Sequence, residues 1–382
     1  MANTLKFGNG EWYGKKDTIL AYNDENDNYK PLLFDFSRAS SATVLNKDGL
    51  IETVGSGQPR IDYKDDSKGA LLLEPQRTNA MRYSSDFSQW SIKSNVTINS
   101  NVGLAPDGTL SADRIVFNGA TNARVEDTAQ GIDAFSYTND RPISVWLKSE
   151  SGTTTVQLGS SSSYLLTVTV TEEWQRFTYI SKQGFARIRS DNATSVLAWG
   201  YQFETNGDVS LSYATSYIPT NGATSTRLAD RAYKQNVTQV IGQSEGTMYI
   251  EFVPKDISTF QVLYQIRNSS GTPGQVDIRL QNGIINTIAN DGGSSQFNMS
   301  GISYSAGTIY KVAVRYKLND SKIYINGSSV GTDTSCSFTA SSLDQVAFAE
   351  GLGSLLPIAD ISDARLYNTG LSDSELAALT QV

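Results

Sequence analysis

Apolar residues recur at every second position in short runs along most of this chain. Ile143, Val145 and Leu147 alternate with Ser144, Trp146 and Lys148, and the same pattern returns in Met248, Ile250 and Phe252, in Val276, Ile278 and Leu280, and in Val312, Val314 and Tyr316. A period of two sends one face of a strand into a core and the other out of it. No convincing long amphipathic helix interrupts these runs. The fold class expected is therefore all-β: an extended N-terminal segment followed by two antiparallel β-sandwich (jelly-roll) domains. Asp107-Gly108, Asn206-Gly207 and Asn326-Gly327 mark turns between strands, and Asn-Gly suits the positive φ of a type I′ hairpin. One helix is expected near residues 373–380. There Ser372 stands three residues before Glu375, a capping-box spacing, ahead of Leu376-Ala-Ala-Leu379.

Composition narrows the chemistry. Among 382 residues there is no histidine and one cysteine, Cys336. A histidine general base, a Ser-His-Asp or Cys-His nucleophile, a His-ligated metal and an internal disulfide are all excluded. No phosphate loop and no dinucleotide-binding glycine motif follows a strand. No cofactor is expected. The formal charge of −8 gives no electrostatic reason to bind nucleic acid or an anionic membrane. No apolar run approaches the ~20 residues of a spanning helix. The N-terminus lacks the apolar stretch of a signal peptide, so export by that route is not expected.

Three parts are expected: residues 1–77 as an attachment or oligomerisation segment, 78–230 as a jelly roll, and 231–382 as a second β-sandwich. The first has apolar clusters separated by turn formers and charge, and little with which to build its own core. Its Trp12 and Phe34 are expected to be buried between chains or against a partner.

Several phrases in that first part resemble a module of tailed-phage virion proteins. They are Phe36-Ser-Arg-Ala-Ser-Ser-Ala-Thr43, Asp48-Gly-Leu-Ile-Glu-Thr53, Pro59-Arg-Ile-Asp-Tyr63 and Leu71-Leu-Leu-Glu-Pro-Gln-Arg-Thr-Asn79. Ser216-Tyr-Ile-Pro-Thr220 and Arg227-Leu-Ala-Asp230 resemble the exit of the domain that follows it in such proteins. Ser144-Val-Trp-Leu-Lys148, Thr171-Glu-Glu-Trp-Gln-Arg-Phe177 and Trp199-Gly-Tyr-Gln-Phe-Glu204 resemble a carbohydrate-binding jelly roll. Gly246-Thr-Met-Tyr-Ile-Glu-Phe252, Lys322 to Val330 and Ile361 to Ser372 resemble a concanavalin-A-like, laminin-G-type sandwich. The resemblance implies a virion structural protein: a head-fibre, tail-fibre or decoration subunit made in the host cytoplasm. It also implies contact with other virion proteins, a homo-oligomer (most simply a trimer) and binding of host surface glycans.

Glycan binding needs an aromatic surface with planar polar groups beside it. Trp199 runs in phase with Leu197, Tyr201 and Phe203 and is assigned to the core; Trp174 opens a strand and is assigned to packing. Trp146 lies out of phase with its apolar neighbours. With Gln157, Arg187 and Gln202 it forms the expected ligand-binding face. The C-terminal domain has no tryptophan. It also lacks the Glu-x-Asp-x-x-Glu spacing of sandwich glycosidases, so no catalytic residues are assigned. Asp360 with Asp363 is weighed as a calcium pair and set aside in favour of solvated loop acids. The alternative function is a glycan-cleaving virion enzyme on the same scaffold. A secreted lectin is a third reading, disfavoured by the missing export signal.

Overall fold

Side chains of alternate parity close two separate cores. The computed structural model describes residues 5–10, 12–23, 30–129, 139–161, 164–206, 210–270, 274–291, 294–336, 343–351 and 355–382. Strand pairing among them is antiparallel throughout, as in Ile143 opposite Tyr179 and Met248 opposite Val314. The chain is all-β and built of sandwiches, as its periodicity predicts. The single α-helix among the described residues is Asp373–Leu379, where Glu375 Oε2 accepts from the Ser372 N–H at 2.6 Å. At the Lys322 hairpin Asn326 and Gly327 take φ values of 49° and 84°, as an Asn-Gly turn requires.

The middle sandwich faces a seven-stranded sheet against a five-stranded one. The first contains the strands Val96–Leu104, Leu110–Asn118, Ala193–Thr205, Arg141–Lys148 and Gln175–Ser181, extended by Arg77–Asn79 and Ser225–Arg227. The second contains Ile92–Ser94, Ala123–Thr128, Phe185–Ser190, Thr154–Ser161 and Tyr164–Val170. Ile143, Val145 and Leu147 meet Val156, Leu158 and Ile188 between them, around a fully buried Trp90. Each such aliphatic side chain contributes about 1.5–3 kcal/mol on leaving water.

The second sandwich departs from the expected division of the chain. Leu5–Gly8 pairs along Ala359–Tyr367, with Leu5 opposite Leu366. From there Thr18–Asn23, Lys30–Ser37, Arg231–Lys234, Gln345–Ala347 and Gln261–Arg267 follow edge to edge. Ala70–Leu73 pairs with the start of Ala359–Tyr367. Leu5–Gly8, Thr18–Asn23, Lys30–Ser37, Ile61–Asp62 and Ala70–Leu73 are thus strands of the C-terminal sandwich rather than a separate arm. The jelly roll is inserted into that unit. Its entrance and exit, Arg77–Asn79 and Ser225–Arg227, pair with each other, with Thr78 opposite Thr226.

This placement corrects the role expected of Phe34. The ring is fully buried within its own chain, edge-on to Phe7 at 4.6 Å, and Phe7 in turn meets Phe348 at 5.2 Å. Trp12 is half-buried against the same core. A segment too small for a core of its own has completed one supplied by the far end of the chain. Phe34 needs no second subunit to leave water.

Charged residues meet where the two units join. Arg38 donates to Asp230 Oδ1 at 2.9 Å, Arg60 reaches both Asp230 and Glu74, and Arg227 sits 2.8 Å from Glu74 Oε2. Ser216 closes on Glu74 through its N–H and its hydroxyl. All five charged side chains are buried to within 1%. Burial alone would push the Glu74 carboxyl up, but Arg227 and Arg60 outweigh it and hold it well below the usual carboxylate range. Arg38, Arg60, Glu74, Ser216, Arg227 and Asp230 all belong to phrases singled out in the sequence. Their physical task is to clasp the inserted jelly roll to its host sandwich.

Candidate functional site

The outer face of the seven-stranded sheet departs from simple alternation at one residue. Gly200 adopts φ +64°, and the register between Arg141–Lys148 and Ala193–Thr205 shifts there. A side chain at this position would be strained and would meet the Trp146 ring at 2.8 Å. The bulge reverses parity. Val196 and Ala198 point into the core, and so do Tyr201 and Phe203 beyond it. Leu197 and Trp199 therefore face outward, which corrects the assignment of Trp199 to the main core.

Trp199 instead builds a second apolar cluster outside the sheet. Trp146 and Trp199 lie opposite each other, their rings 5.5 Å apart, and Tyr217 from the segment leaving the domain covers both at 5.5 and 4.6 Å. Such aromatic pairs add about 0.5–1.5 kcal/mol each beyond their buried area. Ile51, from the hairpin Ala42–Leu45 and Ile51–Val54, and Trp174 pack on the edge. Thr43 Oγ1 donates to the Tyr217 carbonyl at 2.5 Å, tying this hairpin to the jelly roll.

The four residues expected to form one binding face are divided between two. Trp146 and Gln202 lie on the outer face of the seven-stranded sheet. Gln157 and Arg187 lie on the outer face of the five-stranded sheet, across the whole core. Gln202 is fully buried: its amide donates to Glu204 and to the Ser216 carbonyl, and its Oε1 accepts from the Ile218 N–H. Arg187 is ion-paired with Glu126. Trp146 is half-buried, and the Arg176 guanidinium sits over its ring at 4.4 Å while donating to Ser144 Oγ. Desolvation lowers the pKa of Arg176, with Glu204 and Glu74 opposing. The indole face that would stack on a sugar is already occupied. The outward parity of Trp146 is thus used for packing under the exit segment.

A cleft of about 390 Å³ opens beside this cluster. One wall is the Ile51–Val54 strand, another the turn 105–109, and a third the segment 219–221. Only the rims of Trp199 and Tyr217 reach it, since they are 3% and 4% exposed. The indole Nε1 of Trp199 donates to Ser111 Oγ at 3.0 Å, and Thr109 Oγ1 lies 2.7 Å from the same oxygen. The Tyr217 hydroxyl lies within 2.6 and 3.0 Å of Ser84 and Ser85. Burial pushes that phenol up to about 12, with the two serines opposing, so it stays neutral. Asp86 and Asp107 are the carboxylates on the wall; Asn101, Asn221 and hydroxyl groups supply most of the rest, and among the described residues no Lys or Arg lines it. This lining is suited to a neutral polyhydroxylated ligand. Asp360 and Asp363, weighed as a calcium pair, are ion-paired with Lys255 and Arg365. No group of three or more potential metal ligands occurs among the described residues.

The cleft residues come from five separate segments, and sequence reasoning found none of them as a site. One signal was present: a glycine directly after Trp199 inside a strand, which marks a bulge.

No protein-family model and no curated protein matches the chain. Solved β-sandwich structures do resemble part of it. The CBM40 domain of a Ruminococcus gnavus IT-sialidase bound to α2,3-sialyllactose is 19% identical, covers 38% of this chain and 86% of its own, and has a TM-score of 0.34. Domain 4 of a Geobacillus stearothermophilus extracellular arabinanase, in complex with arabinotriose, is 14% identical over 45% of this chain and 84% of its own, with a TM-score of 0.33. The SAP-like pentraxin of Limulus polyphemus is 16% identical over 36% and 70%, with a TM-score of 0.31. Likeness at this level does not carry a ligand across to this chain.

Proposed function

We propose that this chain is a tailed-phage virion protein, a head-fibre, tail-fibre or decoration subunit, whose jelly roll offers the cleft beside Trp199 and Tyr217 to host surface glycans. The observation that carries the glycan reading is the lining of that cleft: two aromatic rims among amide, hydroxyl and carboxylate groups, with no basic side chain among the described residues. The phage reading rests on the sequence phrases in residues 36–79 and 216–230. It gains support from their convergence on one buried clasp. In this reading the protein works in the virion, beside other virion proteins, as a homotrimer that uses no cofactor. Weak sites then suffice, because linked copies raise avidity by ~10²–10⁴. The subunit binds without cleaving. A glycosidase needs two carboxylates free to act across its cleft, whereas Asp86 and Asp107 each cap a turn through Oδ1, at Ser88 and Thr109.

The test is surface plasmon resonance of the full chain on host polysaccharide. Changing Thr53→Ala and Asn221→Ala together should weaken binding by roughly two- to tenfold, the range of one or two lost hydrogen bonds, with the melting temperature unchanged. Trp146→Ala should lower the melting temperature through lost packing. Absent binding would refute the glycan reading, and release of reducing ends from the polysaccharide would replace it with the glycan-cleaving alternative. Immunogold microscopy of virions locates the subunit, or finds none and removes the phage reading.

A further inference from the structure

A second cleft, of about 350 Å³, lies on the other unit, between residues 62–68 and the outer face of the strands Glu245–Pro254 and Ala359–Tyr367. Its lining includes six carboxylates, Asp62, Asp65, Asp66, Glu251, Asp360 and Asp363, against two cations, Lys68 and Lys311. Most of these acids have local partners. Asp363 is paired with Arg365; Asp62 Oδ1 and Asp66 Oδ1 accept from backbone N–H groups at 2.8 Å; Glu251 accepts from the Tyr249 hydroxyl.

Asp360 is different. It is 4% exposed, Lys255 holds its Oδ2 at 2.8 Å, and its Oδ1 has no hydrogen-bond partner. A buried acceptor left unpaired costs about 1–3 kcal/mol, which a donor arriving from the cleft would recover. Burial pushes the carboxyl up to about 6; Lys255 opposes this, and Asp62 and Glu74 add to it. A cation that approaches favours the ionised form. The described residues provide no geometry for a metal ion. What remains is a compact organic cation with N–H donors. Val253 and the half-exposed Ile309 provide apolar contact for its carbon frame.

We propose that this cleft binds a protonated primary amine, whose ammonium donates to Asp360 while the exposed Asp65 and the half-buried Asp66 attract it. This site is separate from the glycan cleft and stands or falls without it. Two sources share the chemistry, an amino sugar and a short aliphatic amine. Isothermal titration calorimetry of the full chain separates them, using glucosamine, N-acetylglucosamine and 1,5-diaminopentane. Glucosamine should bind at least tenfold more tightly than N-acetylglucosamine, which lacks the charge. Equal affinity for diaminopentane assigns recognition to the ammonium alone, and weaker diaminopentane binding assigns it to the amino sugar. Asp360→Asn should weaken binding by roughly 10–100-fold, the worth of a charge-assisted hydrogen bond. Should that variant fail to fold, D65N/D66N at the rim should still weaken binding two- to fivefold and flatten its salt dependence. The proposal is overturned by no heat with either amine at millimolar concentration, by N-acetylglucosamine binding as tightly as glucosamine, or by affinities that none of these substitutions changes.

Discussion

The jelly roll takes its core strands from one stretch of chain, Ile92 to Thr205, whereas the C-terminal sandwich takes its strands from both ends of the protein. Lys30–Ser37 lies beside Arg231–Lys234, almost two hundred residues away in sequence. A contiguous unit can close as soon as its own strands exist. The host sandwich cannot close until the insertion has been made and its end returned, so its formation depends on contacts of high sequence separation. The clasp of Arg38, Arg60, Glu74, Arg227 and Asp230 lies at the joint between these two behaviours.

The largest expected effect tests that dependence directly. Removing residues 1–37 deletes Phe7, Phe34 and Phe36 from the host core, together with the strands that join its two layers. The C-terminal sandwich should then lose its cooperative unfolding transition and become protease-sensitive, while the jelly roll keeps its own. A milder version is Phe34→Ala, expected to cost about 3–5 kcal/mol in the host transition alone. Differential scanning calorimetry reads both. If the two transitions move together, the units do not behave separately and the contrast fails.

The next effect acts at the joint. Glu74 accepts from Ser216 and is paired with Arg60 and Arg227 in full burial. Removing one member of such a set leaves buried charge unpaired, so Glu74→Gln should destabilise by about 3–5 kcal/mol near neutral pH. The sign with pH follows from its depressed folded pKa. The stability that Glu74 contributes is present above the ordinary glutamate value and is lost as pH falls through the folded one. The gap between wild type and E74Q should therefore narrow in acid, as measured by denaturant midpoints across pH 2–7.

These contrasts explain what could be read from the residues and what could not. Alternation correctly placed Ile143, Val145 and Leu147 inside and Trp146 outside, because that strand has uniform parity. It failed at Trp199, because Gly200 inserts a bulge and parity does not carry through one. The all-β class and the capped terminal helix are local properties and were legible. The pairing of Leu5–Gly8 with Ala359–Tyr367 is not local, and nothing in either segment names the other. Phe34 was correctly identified as needing burial; the partner that buries it was in the same chain. The cleft beside Tyr217 was illegible for the same reason, since its walls come from separate segments.

The smallest effect sets one buried aspartate from each unit against the other. Asp113 in the jelly roll and Asp277 in the host sandwich are both 1% exposed, and burial pushes both carboxyls up to about 6. Their surroundings differ. Asp113 uses both oxygens, accepting from the Asn101 and Phe87 N–H groups at 2.9 Å each, with Asp86 adding a small repulsion. Asp277 Oδ1 has no hydrogen bond, and Arg279 Nε stands 3.5 Å from it. An amide at position 113 must turn an NH2 toward a backbone N–H. Asp113→Asn should therefore destabilise the jelly roll by about 1–3 kcal/mol. Asp277 accepts one backbone bond, from the Ile288 N–H, which the oxygen of an amide keeps, so an amide at 277 loses none and removes a charge that burial disfavours. A carboxyl whose folded pKa lies above its ordinary value near 3.8 works against folding as pH rises between the two. Asp277→Asn should then stabilise the host sandwich by about 1–3 kcal/mol above pH 6, with the gain vanishing below about pH 4. Denaturant titrations of both variants at pH 4 and pH 8 decide it. A loss at pH 8 in D277N would mean that the Arg279 pairing outweighs the desolvation of the carboxylate, and would end the contrast between the two sites.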